Sequence, residues 1–348
     1  MLKHVDWREL VAANQRTIHE AGVPGVGASG LPGLGSLPGL ADLPGRPGRA
    51  TGAAPPGLVE LPARPDGRRA FVHAPPGTDP ARSAPLLLVL HGCTQSAADV
   101  AGAMGLSAVT DRVGWRIAYA QQGRGHNPRD CWNWFEPAHQ ARGTGEPAFL
   151  ADVVAAVGER WTSGPVFLVG FSAGGAMAAV AAAAYPDLFA GLGVHSGLAF
   201  GAARSLPTAL MAMRRGGPGV PAQAAAARRA MGDHARLMPT IALHGTRDAI
   251  VAARNGEQVV EQWRETNRLV DSRAGGGGLE LVRGRRDEGR AFTRRRWHDA
   301  HGRPVSEHVA VDGMGHAWSG GTPGGSYADP RGPSAAEAIV RFFGDATG

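Results

Sequence analysis

Residues 166–175 read Val-Phe-Leu-Val-Gly-Phe-Ser-Ala-Gly-Gly, and few folds accommodate that order. Four apolar residues have the length and character of a buried strand. They run without a break into a Gly-x-Ser-x-Gly turn and then into an alanine-dense run that favours helix through Ala184. Tyr185-Pro186 closes that helix. Ser172 therefore sits at the top of a tight strand-to-helix turn, with Gly170 and Gly174 removing side chains that would crowd it. The serine hydroxyl is predicted to be exposed there, and the next backbone N–H, that of Ala173, lies at a helix N-terminus.

The flanking sequence repeats the theme. Pro85–Leu90 is a continuous apolar run, as a central parallel strand requires. A helix is expected over 99–111, a strand over 115–120 and an amphipathic helix over 147–161. Short strands follow at 192–195 and 240–243, a helix at 252–267, strands at 292–298 and 305–311, and a closing helix at 334–343. Residues 197–237 read as two further helices. Strands alternating with helices imply a mainly parallel central sheet covered by helices on both faces. The 348 residues contain 43 % hydrophobic and 19 % charged residues, enough for one large domain with a substantial core. That domain is expected over 61–348. Residues 1–60 are read as a short amphipathic helix followed by a partly disordered Gly/Pro-rich linker.

A serine nucleophile needs a base within hydrogen-bond reach, and the base needs a carboxylate to fix its tautomer. Two residues occupy the right places. Asp248 follows the strand 240–243 in the turn His244-Gly245-Thr246-Arg247-Asp248, and His316 follows the strand 305–311 in a glycine-rich loop. The order Ser172, Asp248, His316, each beyond a strand's C-terminal end, is that of an α/β-hydrolase fold. The loop after Leu90, His91-Gly92-Cys93-Thr94, is placed to complete an oxyanion hole. Its N–H donors would be those of Cys93 or Thr94, together with that of Ala173. His91 is expected to be a structural hydrogen bonder beneath the site. Trp132, Trp134 and Trp318 are the candidate substrate-binding rings.

Several function classes fall away. The formal charge of +6 comes from dispersed arginines without interleaved aromatics, the pattern of a solvated face and not of a nucleic-acid surface. There is no uninterrupted apolar span of membrane length. Two cysteines are too few for a structural zinc site, and the proposed chemistry calls for no metal or organic cofactor.

Several motifs in order make the chain similar to esterases of the poly(3-hydroxybutyrate) depolymerase family, with feruloyl and acetylxylan esterases as relatives. They are His91 to Ser96, Cys131-Trp132-Asn133-Trp134-Phe135, Gly170 to Gly175, His195-Ser196-Gly197, His244 to Asp248, Gly315 to Gly321 and Asp329 to Pro333. The resemblance spans about 62–345. It implies a serine esterase acting on a small, oligomeric or polymeric ester, with Ser172 as nucleophile, Asp248 as orienting acid and His316 as base. The alternatives are a feruloyl or acetylxylan esterase, a serine peptidase, and a non-catalytic binding relative. Cys93 and Cys131 flank the proposed site loops. A bond between them fits an oxidising compartment and two free thiols fit the cytoplasm. The start of the chain lacks a recognisable signal-peptide pattern, which favours the cytoplasm, whereas the resemblance allows an extracellular protein. Oligomeric state is left open.

Overall fold

The structure, a computed structural model, describes residues 54–62, 66–274, 276–286 and 288–347. The helix and most of the linker expected over 1–60 lie outside the described residues. The elements run in order β1 (Val59–Glu60), β2 (Arg69–His73), β3 (Ala84–Leu90), α1 (Ala97–Ala103), α2 (Leu106–Val113), β4 (Arg116–Gln121) and α3 (Gly145–Gly158). Then come β5 (Ser163–Phe171), α4 (Ala173–Ala184), β6 (Gly191–His195), α5 (Leu206–Arg215), α6 (Val220–Met231), β7 (Thr240–Gly245) and α7 (Arg254–Val270). The chain finishes with β8 (Leu279–Arg285), β9 (Ala291–His298), β10 (Pro304–Val311), β11 (Trp318–Ser319), β12 (Ala328–Asp329) and α8 (Ala335–Thr347).

Among the described residues, ten strands form one sheet in the order β1-β2-β4-β3-β5-β6-β7-β10-β9-β8. The six central strands, β4 to β10, are parallel, and antiparallel pairs extend the sheet at both ends. Strands buried on both faces need apolar residues at every position. Along β3 and β5, Leu86, Leu88, Leu90, Val166 and Leu168 join the core under α3, α4, α6 and α7. The alternate residues face the layer containing α2 and α8, where Phe167 stacks on Phe343 of α8 at 4.4 Å between ring centroids. Every residue of α4 is buried. Its alanine run lets a helix lie close to the sheet while packed on all sides.

The helix expected over 99–111 is two helices. Gly105, at φ 66°, breaks it into α1 and α2. The strand β8 was not anticipated. Its sequence, Leu-Glu-Leu-Val-Arg-Gly-Arg, does not alternate apolar with polar residues, and neither face is buried. No helix among the described residues is long and apolar enough to cross a membrane.

Candidate active site

Ser172 sits at φ 56°, ψ −122°, a conformation that a residue with a side chain adopts only under constraint. The constraint is visible. Its N–H donates to the His195 carbonyl at 2.9 Å, and its carbonyl accepts from Ala176 N–H at 3.0 Å. A Cβ on Gly170 would lie 2.1 Å from the Gly174 carbonyl oxygen, and one on Gly174 would lie 2.4 Å from that of His91. Only glycines permit a turn this tight. Ala173 opens α4, so its N–H is one of the helix's unsatisfied first-turn donors.

The serine Oγ is 2.8 Å from His316 Nε2, and His316 Nδ1 is 2.7 Å from Asp248 Oδ2. With Nδ1–H donating to the carboxylate, Nε2 is the acceptor for the serine proton. The three residues, expected together from sequence, meet in one hydrogen-bonded relay. The loop bearing His316 is locked to the one bearing Asp248. Arg247 N–H donates to the Met314 carbonyl at 3.0 Å, and Gly313 N–H to Thr246 Oγ1 at 2.9 Å. A Cβ on Gly245 would collide with the Met314 carbonyl oxygen at 2.3 Å.

Asp248 is surrounded by donors. Oδ1 accepts from Ile250 and Val251 N–H at 2.9 and 2.8 Å, and His244 Nε2 approaches Oδ2 at 3.3 Å. Burial alone would push this carboxyl up. The hydrogen bonds from His244 and His316 outweigh it and hold Asp248 well below the usual carboxylate range. The group is ionised.

A second buried histidine supports the His316 loop. His195 Nε2 accepts from Ser319 N–H at 3.0 Å, which leaves Nδ1–H for Ser196 Oγ at 3.1 Å. Burial drives its pKa far down, in keeping with a neutral ring. Trp318 stacks on it at 4.8 Å.

Of the expected oxyanion donors, the Thr94 N–H is already engaged by the Arg129 carbonyl at 2.8 Å. The Cys93 N–H has no hydrogen-bond partner among the described residues, so it and Ala173 N–H are the available pair. Cys93 is joined to Cys131 by a disulfide. His91 does lie beneath the site as a hydrogen bonder, accepting from Gln122 N–H at Nε2 and donating from Nδ1 to the Gly92 carbonyl.

The tryptophans are corrected. Trp132, Trp134 and Trp318 are 0, 5 and 1 % exposed and present no ring face to a ligand. Trp132 donates to the His91 carbonyl at 2.9 Å and Trp318 to that of Met104 at 3.1 Å. They anchor loops. The long loop before α3 is organised by Glu146, a residue sequence reasoning passed over. Its fully buried carboxylate accepts from Asn133 N–H at 2.8 Å, Asn133 Nδ2 at 2.7 Å and Gln122 Nε2 at 2.5 Å. Among the described residues no group of three His, Cys, Asp or Glu side chains is placed to hold a metal ion.

Residues 70–283 match the family model described as Esterase PHB depolymerase, a stretch that includes Ser172 and Asp248. The chain is 34 % identical over 270 residues to the poly(3-hydroxyalkanoate) depolymerase C of Paucimonas lemoignei, covering 74 % of this chain and 59 % of that protein. It belongs to the esterase PHB depolymerase family. It is also 28 % identical to the poly(3-hydroxybutyrate) depolymerase of Ralstonia pickettii, across 71 % of this chain and 50 % of the relative. The chain thus spans between half and three-fifths of the length of these two depolymerases. Feruloyl esterase B of Thermothelomyces thermophilus is 26 % identical over 56 % of this chain and 68 % of its own. The α/β-hydrolase fold is shared with the acetyl xylan esterase from Aspergillus awamori, at a TM-score of 0.63 and 20 % identity, covering 83 % of this chain and 99 % of that one.

Proposed function

We propose that this protein is a serine hydrolase of carboxylic esters, with Ser172 as nucleophile, His316 as base and Asp248 as orienting acid. The observation that carries the proposal is the unbroken relay from Ser172 Oγ through His316 to an ionised Asp248. His316 Nε2 takes the serine proton as Oγ attacks the ester carbonyl. The developing oxyanion receives hydrogen bonds from the N–H groups of Cys93 and Ala173, the latter aided by the positive end of α4. The tetrahedral species collapses, and the departing alkoxide takes its proton from His316. Water, deprotonated by the same nitrogen, then cleaves the acyl-enzyme and restores Ser172. Asp248 stabilises the imidazolium in both halves without itself taking a proton.

Family membership favours esters of short 3-hydroxyacids, as oligomers or polymer. A second reading, hydrolysis of feruloyl or acetyl esters of plant polysaccharide, draws on the likeness to feruloyl esterase B. The disulfide Cys93–Cys131 favours work in an oxidising compartment. The test is hydrolysis of p-nitrophenyl acetate to octanoate, 3-hydroxybutyrate dimer and trimer, amorphous polymer, methyl ferulate and acetylated xylan, by wild type and Ser172→Ala. Turnover lost in the alanine variant and greatest on hydroxybutyrate esters is expected. Turnover unchanged in that variant overturns the assignment of Ser172, and a preference for ferulate or acetylxylan selects the second reading.

A further inference from the structure

With the three tryptophans buried, the substrate-facing aromatic has to be found elsewhere, and Tyr327 is placed for it. It immediately precedes β12 and has φ 51°, a left-handed conformation uncommon for a bulky side chain. The surroundings hold that backbone firmly. The Tyr327 carbonyl accepts from Trp318 N–H at 2.6 Å, and the carbonyl and Oγ of the preceding Ser326 both accept from Gln95 Nε2 at 3.2 Å. Asp329, two residues on, is paired with Arg290 at 2.6 Å. Gln95 in turn accepts from Gly92 N–H in the oxyanion loop at 2.9 Å. Strain maintained by this many contacts at the edge of a reaction centre is characteristic of a residue whose side chain must point one way.

The ring stands edge-on to His316, with centroids 6.1 Å apart and planes at 86°, and lies 5.9 Å from Phe171. The side chain is half-buried, and its hydroxyl bonds to no described residue. In the mechanism proposed above, His316 delivers its proton to the departing alkoxide. Of the two rings beside that imidazole, Phe171 at 5.1 Å is buried and Tyr327 is half-buried, so Tyr327 is the one open to an alcohol leaving from His316.

We infer that Tyr327 forms the wall of the leaving-alcohol subsite and that its phenol donates a hydrogen bond to a carbonyl carried by that alcohol. The ligand class is an alcohol that is itself a hydroxyacid ester, as in an oligomer of hydroxyacids. A plain alkyl alcohol offers the phenol nothing to bond. This inference rests on the esterase reading and narrows its substrate.

The experiment holds the acyl group at 3-hydroxybutyryl and varies the alcohol between ethanol and methyl 3-hydroxybutanoate. The selectivity ratio, kcat/KM for the second over the first, is measured in wild type, Tyr327→Phe and Tyr327→Asn. Asparagine tolerates the left-handed backbone, and a thermal melt checks that each variant is folded. A lost neutral hydrogen bond reduces the ratio by roughly fivefold to tenfold in Tyr327→Phe. A further fall is expected in Tyr327→Asn, with the ranking of p-nitrophenyl esters by acyl length preserved. A ratio equal in all three proteins, or a changed acyl-length ranking with the alcohol ratio intact, overturns the inference and leaves the esterase reading standing. Absence of any serine-dependent ester cleavage by wild type removes both.

Discussion

His244 Nε2 lies 3.3 Å from Asp248 Oδ2, the same oxygen that accepts from His316, and 2.8 Å from the Val251 carbonyl oxygen. Its N–H is thus shared between the carboxylate and a main-chain acceptor. Nδ1 is buried without a partner, against Gly256 of α7, where a Cβ would come within 2.8 Å of it. Replacing His244 with leucine removes a donor to a buried charge, an interaction of about 1.5–3 kcal/mol. If the loss is felt in the transition state, kcat falls roughly tenfold to a hundredfold with KM little changed. His244→Gln, which keeps a donor near the Nε2 position, should recover most of the rate. Steady-state kinetics of both variants on p-nitrophenyl butyrate check this; equal losses in the two would assign His244 to packing alone.

The strained turn at Ser172 couples stability to activity. Ser172→Gly removes the Cβ from a conformation that disfavours one, and thermal unfolding should rise by the equivalent of about 1 kcal/mol while esterase activity disappears. Ser172→Ala loses the activity without that gain. A glycine variant no more stable than the alanine one would show that the turn carries little strain.

Burial pushes Glu146 up to about 7, from an ordinary value of 4.5, against the opposing pull of its hydrogen bonds. A folded-state pKa above the unfolded one means that the native protein holds this proton more tightly. Its contribution to stability is therefore complete below the unfolded value and is lost as pH rises toward 7, by up to about 3 kcal/mol. Asp248 acts oppositely and at lower pH. Its depressed pKa stabilises the fold above about pH 4 and that contribution fades only in stronger acid. Urea midpoints of wild type and Glu146→Gln between pH 4.5 and 7.5 test the first claim. Wild type should decline across this window and the variant should be nearly flat; parallel slopes would show that Glu146 does not titrate there.

The disulfide closes a separation of 38 residues in sequence. The chain-entropy relation gives about 3–4 kcal/mol for a loop of that size. Cys131→Ala should lose stability of this order and, with Cys93 N–H as the proposed oxyanion donor, lose kcat as well. Chemical denaturation and turnover of the variant measure the two effects, and a stable variant with wild-type kcat would separate the bond from the oxyanion loop.

The elements that sequence made legible were those written in consecutive residues. The Ser172 turn announces itself because strand, glycines and helix are contiguous, and Asp248 and His316 were expected beside it because the fold puts partners just past strand ends; the structure places the three within hydrogen-bond reach. The tryptophans were misread because what decides exposure is remote: the Trp132 partner, His91, is 41 residues away, and that of Trp318, Met104, is 214 away. Tyr327 gave no signal, since a left-handed backbone at a tyrosine leaves no mark in composition. β8 was hidden for a different reason. An edge strand with no buried face is under no demand to alternate apolar and polar residues, and Leu281-Val282 breaks that pattern here.

Thr94 N–H is held by the Arg129 carbonyl and Cys93 is covalently tied to Cys131, so the backbone of the proposed oxyanion loop is tethered to a loop more than thirty residues downstream. A chimera that borrowed residues 122–146 from a relative would import a new setting of the oxyanion hole with them. Any change in that loop that shifts Arg129 or Cys131 is thus passed on to the backbone of Cys93 and Thr94.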